Sequence, residues 1–281
     1  MKKDNTKDLL FELVRTSFKL RYNNSVLGLV WVILKPFLMF LIQFFVWSTI
    51  AQANNNYFPV KLLLGIVIFT FLNEGIIFGM NGLLDKAGII LKVNFKRHIA
   101  VIASTIMAVI NFCINMVLFV VVFLIYIATG LAQEKGITAM ASLSYEFTQF
   151  FTHLDTHIVE IGYFIFIISI LYMFILGASF VLSILIVRLR DLQHIFELFF
   201  SILFWATPIF YTLKQVENSS FGQIVKYNPF GILIESARGT LTFNQITNIP
   251  EMLLSFVLSI VILILGYRYF KVKVKRVAEY F

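Results

Sequence analysis

The apolar residues fall in six runs, at about 26–50, 62–82, 99–128, 163–187, 195–213 and 251–270. Each is near the twenty or so residues that cross roughly 30 Å of hydrocarbon at about 1.5 Å per residue. The pattern predicts an all-α polytopic membrane protein with six transmembrane helices, forming one domain over 1–281. Ahead of the first run the periodicity changes. In "NTKDLLFELVRTSFKL" (5–20), Leu9, Leu10, Leu13, Val14, Ser17 and Phe18 recur at helical spacing, and Asp8, Glu12, Arg15 and Lys19 hold the opposite side. Residues 1–25 therefore read as an amphipathic helix lying in the cytoplasmic interface, its cations toward anionic lipid. An ordinary soluble helix end is the alternative.

The fifth run is broken at Trp205-Ala206-Thr207-Pro208, where proline removes the amide donor that a continuing helix needs. Residues 214–249 then carry Asn228-Pro229 and "FGILIESARGTL" before Pro250 starts the last run at a position helices tolerate. Such breaks are accepted at membrane depth only where protein buries them or a cavity wets them, so an external gate is expected between spans five and six.

Composition agrees with lipid as the solvent: 59% of the 281 residues are apolar, 14% are charged, and 32 are phenylalanine. The net charge of +8 would suit nucleic acid if the 23 Lys and Arg were clustered on one surface. They are sorted by loop instead. Lys2, Lys3, Lys7, Arg15, Lys19 and Arg21 precede the first run, and Lys86, Lys92, Lys96 and Arg97 lie between the second and third. Arg188 and Arg190 lie between the fourth and fifth, and Arg268, Lys271, Lys273, Lys275 and Arg276 close the chain. Alternate loops are thus basic, as the positive-inside rule requires if both termini, including the 271–281 tail, are cytoplasmic. Asp4, Asp8 and Glu12 stand where a signal peptide would be apolar, so the first span is expected to remain as an anchor. Cys113 is alone, which excludes an intrachain disulfide, and reads as a small core residue.

The basic segment 83–98, "LLDKAGIILKVNFKRH", also carries Ile89, Ile90, Leu91, Val93 and Phe95. So many apolar groups beside cations suit a docked partner, or a segment dipping into the interface. On the other side, 129–162 is the longest stretch outside the runs; its His153 and His157 are spaced for one helix face, as a metal site or an ordinary solvated helix would be. No third ligand accompanies them, and no metal is assigned. Gly75 and Gly79, with Ser179 and Ser183, allow close helix contact.

Lys35 and Glu74 are ionisable residues deep inside spans one and two. From opposite sides they lie about 13 and about 18 Å deep, nearly the same level, so an intramembrane pair is expected. Snorkelling of the lysine, or a wet channel beside either residue, is the competing arrangement. Clustered carboxylates for acid–base chemistry or ion coupling are absent from the runs, as are the motifs GxSxG, HExxH and GxxxxGK[ST]. If ATP powers this protein, another chain binds it.

"VRTSFKLRYNNSVLGLVWVILKPFLMF" resembles the N-terminal signature of ABC-2-type permeases that export lipid-linked polysaccharides such as O-antigen, teichoic acid or rhamnan. The likeness continues in order through "GIILKVNFKRHI", Arg190-Asp191-Leu192, "TPIFY", "YNPFGILIESARG" and the basic tail. The resemblance implies a homodimer in the bacterial cytoplasmic membrane, paired with two copies of a cytoplasmic ABC ATPase that holds the ATP and Mg. No catalysis and no cofactor are expected in this chain. The substrate implied is an undecaprenyl-linked glycan.

The resemblance also assigns residues. Lys86, Gly88, Ile89, Leu91, Lys92, Asn94 and Phe95 would form the coupling helix, with Arg190 and Asp191 as a smaller contact. Re-entrant helices carrying Asn228, Pro229, Glu235 and Arg238 would close the outer end. Aromatic rings suit a sliding sugar polymer, and Phe40, Phe44, Trp205 and Tyr211 are the lining candidates, lipid-facing rings being the alternative. Lys19, Arg21 and Tyr22 mark the entrance for the lipid pyrophosphate, where attraction to anionic headgroups is the other reading. Relatives commonly have Phe-Pro where this chain has Phe95-Lys96, and many have a shorter outer segment. A drug- or lipid-exporting ABC-2 permease, an ion-coupled secondary transporter and a membrane glycosyltransferase are the alternatives.

Overall fold

A computed structural model describes residues 6–22, 28–50, 57–93, 95–135, 154–211, 220–243 and 249–275. All regular structure among them is helical: α1 (Thr6–Tyr22), α2 (Val30–Ile50), α3 (Phe58–Asn81), α4 (Ala87–Ile90), α5 (His98–Lys135), α6 (Leu154–Arg188), α7 (Leu192–Ala206), α8 (Ser220–Lys226), α9 (Pro229–Phe243) and α10 (Ile249–Lys273). Five of these, α2, α3, α5, α6 and α10, are long and apolar enough to cross a membrane. The expected fifth span appears as the shorter apolar helix α7, which stops at Ala206 because Pro208 cannot continue it.

The centre of the bundle is α3. Its apolar residues occupy every side, which suits a helix surrounded by others, and most of them are buried, whereas α2 and α10 are largely exposed. Close packing around it uses the small residues noted in the sequence. A side chain at Gly75 would press on Ile175, and one at Gly79 on Ser179 and Thr105, so α3, α5 and α6 meet where the two glycines and Ser179 lie. The tightest helix pair was not signalled by any motif: Gly177 of α6 lies against the backbone of Ile262 and Leu263, and Gly266 of α10 against Gly177 itself.

One expectation gains a protein partner, and another changes. The apolar face of α1 packs on protein: Leu13 is buried with Ile99 and Ala103, flanked by Leu9, Leu10, Val14 and Phe95. Nine residues on, the Tyr22 hydroxyl reaches Asn111. The helix therefore follows α5 for about three turns, because α5 supplies the apolar partner that the Leu-rich face of α1 needs. Cys113, expected in the core, is exposed on α5.

Overpacking a tight contact costs about 1–3 kcal/mol, whereas adding a methyl to an open helical glycine gains about 1 kcal/mol. A Cβ at Gly177 would sit 2.7 Å from the Ile262 carbonyl carbon, and one at Gly162 would meet nothing within 4 Å. Gly177→Ala should lower the thermal-unfolding midpoint of the detergent-purified protein, while Gly162→Ala should leave it unchanged or raise it.

Candidate coupling, entrance and exit sites

The 83–98 segment returns between α3 and α5 at the end of the bundle that holds the start of α1. Leu83, Lys86 and Ile90 are buried there, and the Lys86 ammonium donates to Ser104 Oγ at 2.6 Å. At its far end Arg97 Nη1 donates to the Val274 carbonyl at 2.5 Å, tying the segment to the C-terminal stretch. Between these anchors Ile89, Leu91, Lys92 and Val93 are exposed, and Gly88 faces open space. Phe95 is half-buried against the Leu13 cluster, and Asn94 lies outside the described residues. Arg190 and Asp191 form an exposed turn between α6 and α7, at the same end by the alternation of the helices. An anchored platform with outward apolar and cationic groups is thus present.

Beside it, Lys19 is exposed, and Arg21 places its guanidinium carbon 3.6 Å from the centre of the Phe78 ring. The Tyr22 hydroxyl donates to Asn111 Oδ1 at 2.9 Å, and Asn111 Nδ2 donates to Glu74 Oε2 at 2.7 Å. The expected direct Lys35–Glu74 pair is not formed. Lys35 is exposed on α2 and makes no hydrogen bond to the carboxylate, whose Oε2 accepts from Asn111. Asn111 itself was missed by sequence reasoning. A buried asparagine in the apolar run "MAVINFCINM" was the available signal.

At the opposite end, α7 breaks and its carbonyls are satisfied one by one. Leu203 O accepts from Thr207 Oγ1 at 2.7 Å, Phe204 O from the Thr207 amide at 3.4 Å, and Trp205 O from the Tyr211 hydroxyl at 2.8 Å. Ala206 O accepts from Asn228 Nδ2 at 3.1 Å, and Thr207 O from the Ile209 amide at 2.7 Å. Arg238 completes the set: Nη1 donates to Pro208 O at 2.7 Å, Nη2 to Ile209 O at 2.5 Å, and Nε to Lys61 O at 2.9 Å. Its Glu235 partner, at 3.4 Å, is exposed. Arg238 reaches these carbonyls because Gly65 has no Cβ, which would otherwise meet the guanidinium. Asn228 also caps α9, accepting from the Phe230 amide at 3.0 Å with Pro229 as the first helical residue. The roles of Gly65 and of the three carbonyls had no sequence signal, since glycine is common in membrane helices.

The four lining candidates separate. Phe40 is buried and stacks on Phe44, centroids 5.8 Å apart, so its ring faces this chain's own core. Trp205 is exposed and Tyr211 partly so, both against Phe210, which in turn stacks on Trp47 at 4.7 Å. Among the described residues no group of three or more His, Cys, Asp or Glu could hold a metal, and His153 lies outside them.

Two outcomes follow. Burial pushes the Lys86 ammonium down to about 8 from its usual 10.5, with Asp85 opposing the shift. A cation depressed by folding destabilises the fold fully below about pH 8, and the cost fades as pH rises toward 10.5. The stability of wild type relative to Lys86→Met should therefore shift in favour of wild type over that window, measured by thermal unfolding. Arg238→Lys keeps the charge but not the planar fork, leaving buried carbonyls without donors at about 1–3 kcal/mol each. It should unfold at lower temperature than wild type, and Gly65→Ala should add little further loss in the Arg238→Lys background because both act on one contact.

Residues 8–242 match the ABC-2 type transporter family. The chain is also similar to an O-antigen export system permease protein RfbA of Myxococcus xanthus, at 24% identity over 256 residues that cover 91% of this chain and 88% of that one. Two proteins of the same name from Klebsiella pneumoniae match at 25% over 245 residues (85% and 84% covered) and at 24% over 273 residues (97% and 94% covered). With the match running through the helical bundle and both of its ends, this chain is a member of the ABC-2 type transporter family, the membrane subunits of transporters.

Proposed function

We propose that this chain is the permease half of an ATP-driven exporter that carries undecaprenyl-linked cell-surface polysaccharide out across the bacterial cytoplasmic membrane. The observation that carries the reading is the nearly end-to-end similarity to three permeases named for O-antigen export. The geometry supplies a use for each end. Two copies form the path, with α7 as the fifth of six spans and both termini cytoplasmic. Two ATPase subunits, holding ATP and Mg, dock on Ile89, Leu91, Lys92 and Val93 and on the Arg190–Asp191 turn. Their closure pulls on a segment already fixed by Lys86 and Arg97, so the motion passes into α3 and α5 instead of being lost in a slack loop.

At the outer end, α8 and α9 act as re-entrant gate helices on the frame set by Asn228 and Arg238. Trp205 and Tyr211 offer faces on which sugars slide, since stacking on C–H edges is tolerant of register. Lys19, Arg21 and Tyr22 stand where the lipid pyrophosphate enters.

Deleting the gene should strip polysaccharide from the cell surface and accumulate lipid-linked glycan inside, with the chain restoring export only when its ATPase partner is present. Normal surface glycan in the deletion strain would overturn the reading, and accumulation of an unglycosylated lipid or drug would favour the other ABC-2 class. Leu91→Asp with Val93→Asp, at exposed positions that leave the fold intact, should abolish co-purification of the ATPase and cut export at least about tenfold, as expected for apolar anchors at an interface.

A further inference from the structure

The burial of α3 changes at its middle. From Leu62 to Phe69 every residue is buried, whereas from Thr70 onward one strip is only partly covered. The strip consists of Thr70, Asn73, Glu74, Ile77, Phe78 and Asn81, the spacing of a single helix face. Every polar side chain of α3 beyond Lys61 lies on it. Thr70 stands at the middle of the Phe58–Asn81 span, so the strip runs from mid-membrane to the end of the bundle that carries the 83–98 segment.

Two of its polar groups are tied to the protein: Glu74 accepts from Asn111 at 2.7 Å, and Asn81 donates to the Ile77 carbonyl at 3.1 Å. Among the described residues, the side chains of Thr70 and Asn73 make no hydrogen bond. α5 adds a third such group. Asn115 is 2% exposed, and its Oδ1 has no partner. α3 and α5 run antiparallel, Gly79 beside Thr105 and Glu74 on Asn111, so Asn115 lies one turn past Asn111 as Thr70 lies one turn past Glu74. Asn115 is therefore level with Thr70, on the face of α5 turned toward the strip. Hydrocarbon cannot satisfy such groups, so together they mark a surface that meets water or a polar ligand.

We propose that this strip, with Asn115, binds the hydroxyl groups of neutral sugar units in a hydrated cleft that opens at the 83–98 end and stops at Thr70. The proposal deepens the export reading and rests on it for the substrate. The amides of Asn73 and Asn115 and the hydroxyl of Thr70 each offer a donor and an acceptor, as a sugar hydroxyl does, so pairs form whichever way a ring arrives. The one charged group on the strip is the Glu74 carboxylate, which accepts from hydroxyls and repels phosphate. The site thus suits the glycan and rejects its diphosphate. Each bond formed replaces one to water, so the hold on any one unit is modest and a polymer can move on.

The test uses thiol labelling of the full chain in membrane vesicles. Cys113→Ser removes the single native thiol, and Thr70→Cys, Asn73→Cys or Val67→Cys then supplies one on the strip or, for Val67 at 1% exposure, in the sealed half. An impermeant thiosulfonate added from the side of the 83–98 segment should modify the two strip positions about tenfold or more faster than the sealed one, since the reactive thiolate needs water. Rates no faster than at Val67→Cys at both positions overturn the cleft, and modification only from the other side overturns its direction. In vesicles that hold lipid-linked glycan without ATP, labelling should slow about tenfold relative to vesicles from cells blocked in glycan synthesis, as mass action gives for a filled site. Equal rates overturn the sugar site. Farnesyl diphosphate added to the blocked vesicles should leave the rate unchanged; protection by it overturns the assignment to neutral sugar. Export that proceeds without protection sinks this inference alone, whereas protection by glycan in a strain whose surface polysaccharide survives deletion of the gene sinks the export reading alone.

Discussion

Hydrocarbon offers no hydrogen bonds, so every carbonyl released by a helix break at membrane depth must find its donor within the protein. That constraint governs the end of the molecule where α7 breaks. Where α7 stops, seven consecutive carbonyls from Leu203 to Ile209 are satisfied by the side chains of Thr207, Tyr211, Asn228 and Arg238 and by two local amides. The donors come from α9 and from the break itself, so the break and α9 hold each other in place. Arg238 extends the arrangement to Lys61 at the start of α3, and Gly65 provides the room. A helix interruption that would be a defect in isolation is thereby converted into a fixed frame.

The opposite end follows another rule. There the 83–98 segment is fastened to the bundle and still presents apolar and cationic groups outward. Lys86 on Ser104 and Arg97 on the Val274 carbonyl fasten it, and Leu83 and Ile90 bury its apolar side. α1 lies against the same part of α5, so Tyr22 at its end reaches Asn111, which in turn donates to Glu74. The 83–98 segment and α1 therefore both pack on the first half of α5.

The aromatic residues show how composition and position differ as sources of inference. Phe40 and Trp205 looked equivalent as lining candidates, yet one stacks inside the core and the other is exposed. Glu74 likewise found its direct partner in a neutral amide and not in the lysine at matching depth. Depth along two helices places residues at one level, but the rotation of each helix about its axis decides whether they meet.

By itself the sequence determined the helical class, the placement of the five long apolar helices to within a few residues, the break before Pro208, and the mixed apolar and basic character of the 83–98 segment. These follow from length, hydropathy and backbone chemistry, which act locally and leave a mark at fixed spacing. The tertiary structure decided that α1 runs along α5, that Gly177 and Gly266 bring α6 and α10 into backbone contact, that Arg238 serves the carbonyls of two other elements, and that Asn111 joins Tyr22 to Glu74. Each of these depends on which helix faces meet across 29 to 177 residues of chain. A chain that is apolar nearly throughout carries little periodic signal of its buried faces, so those meetings were set by packing and by the need to satisfy every buried polar group.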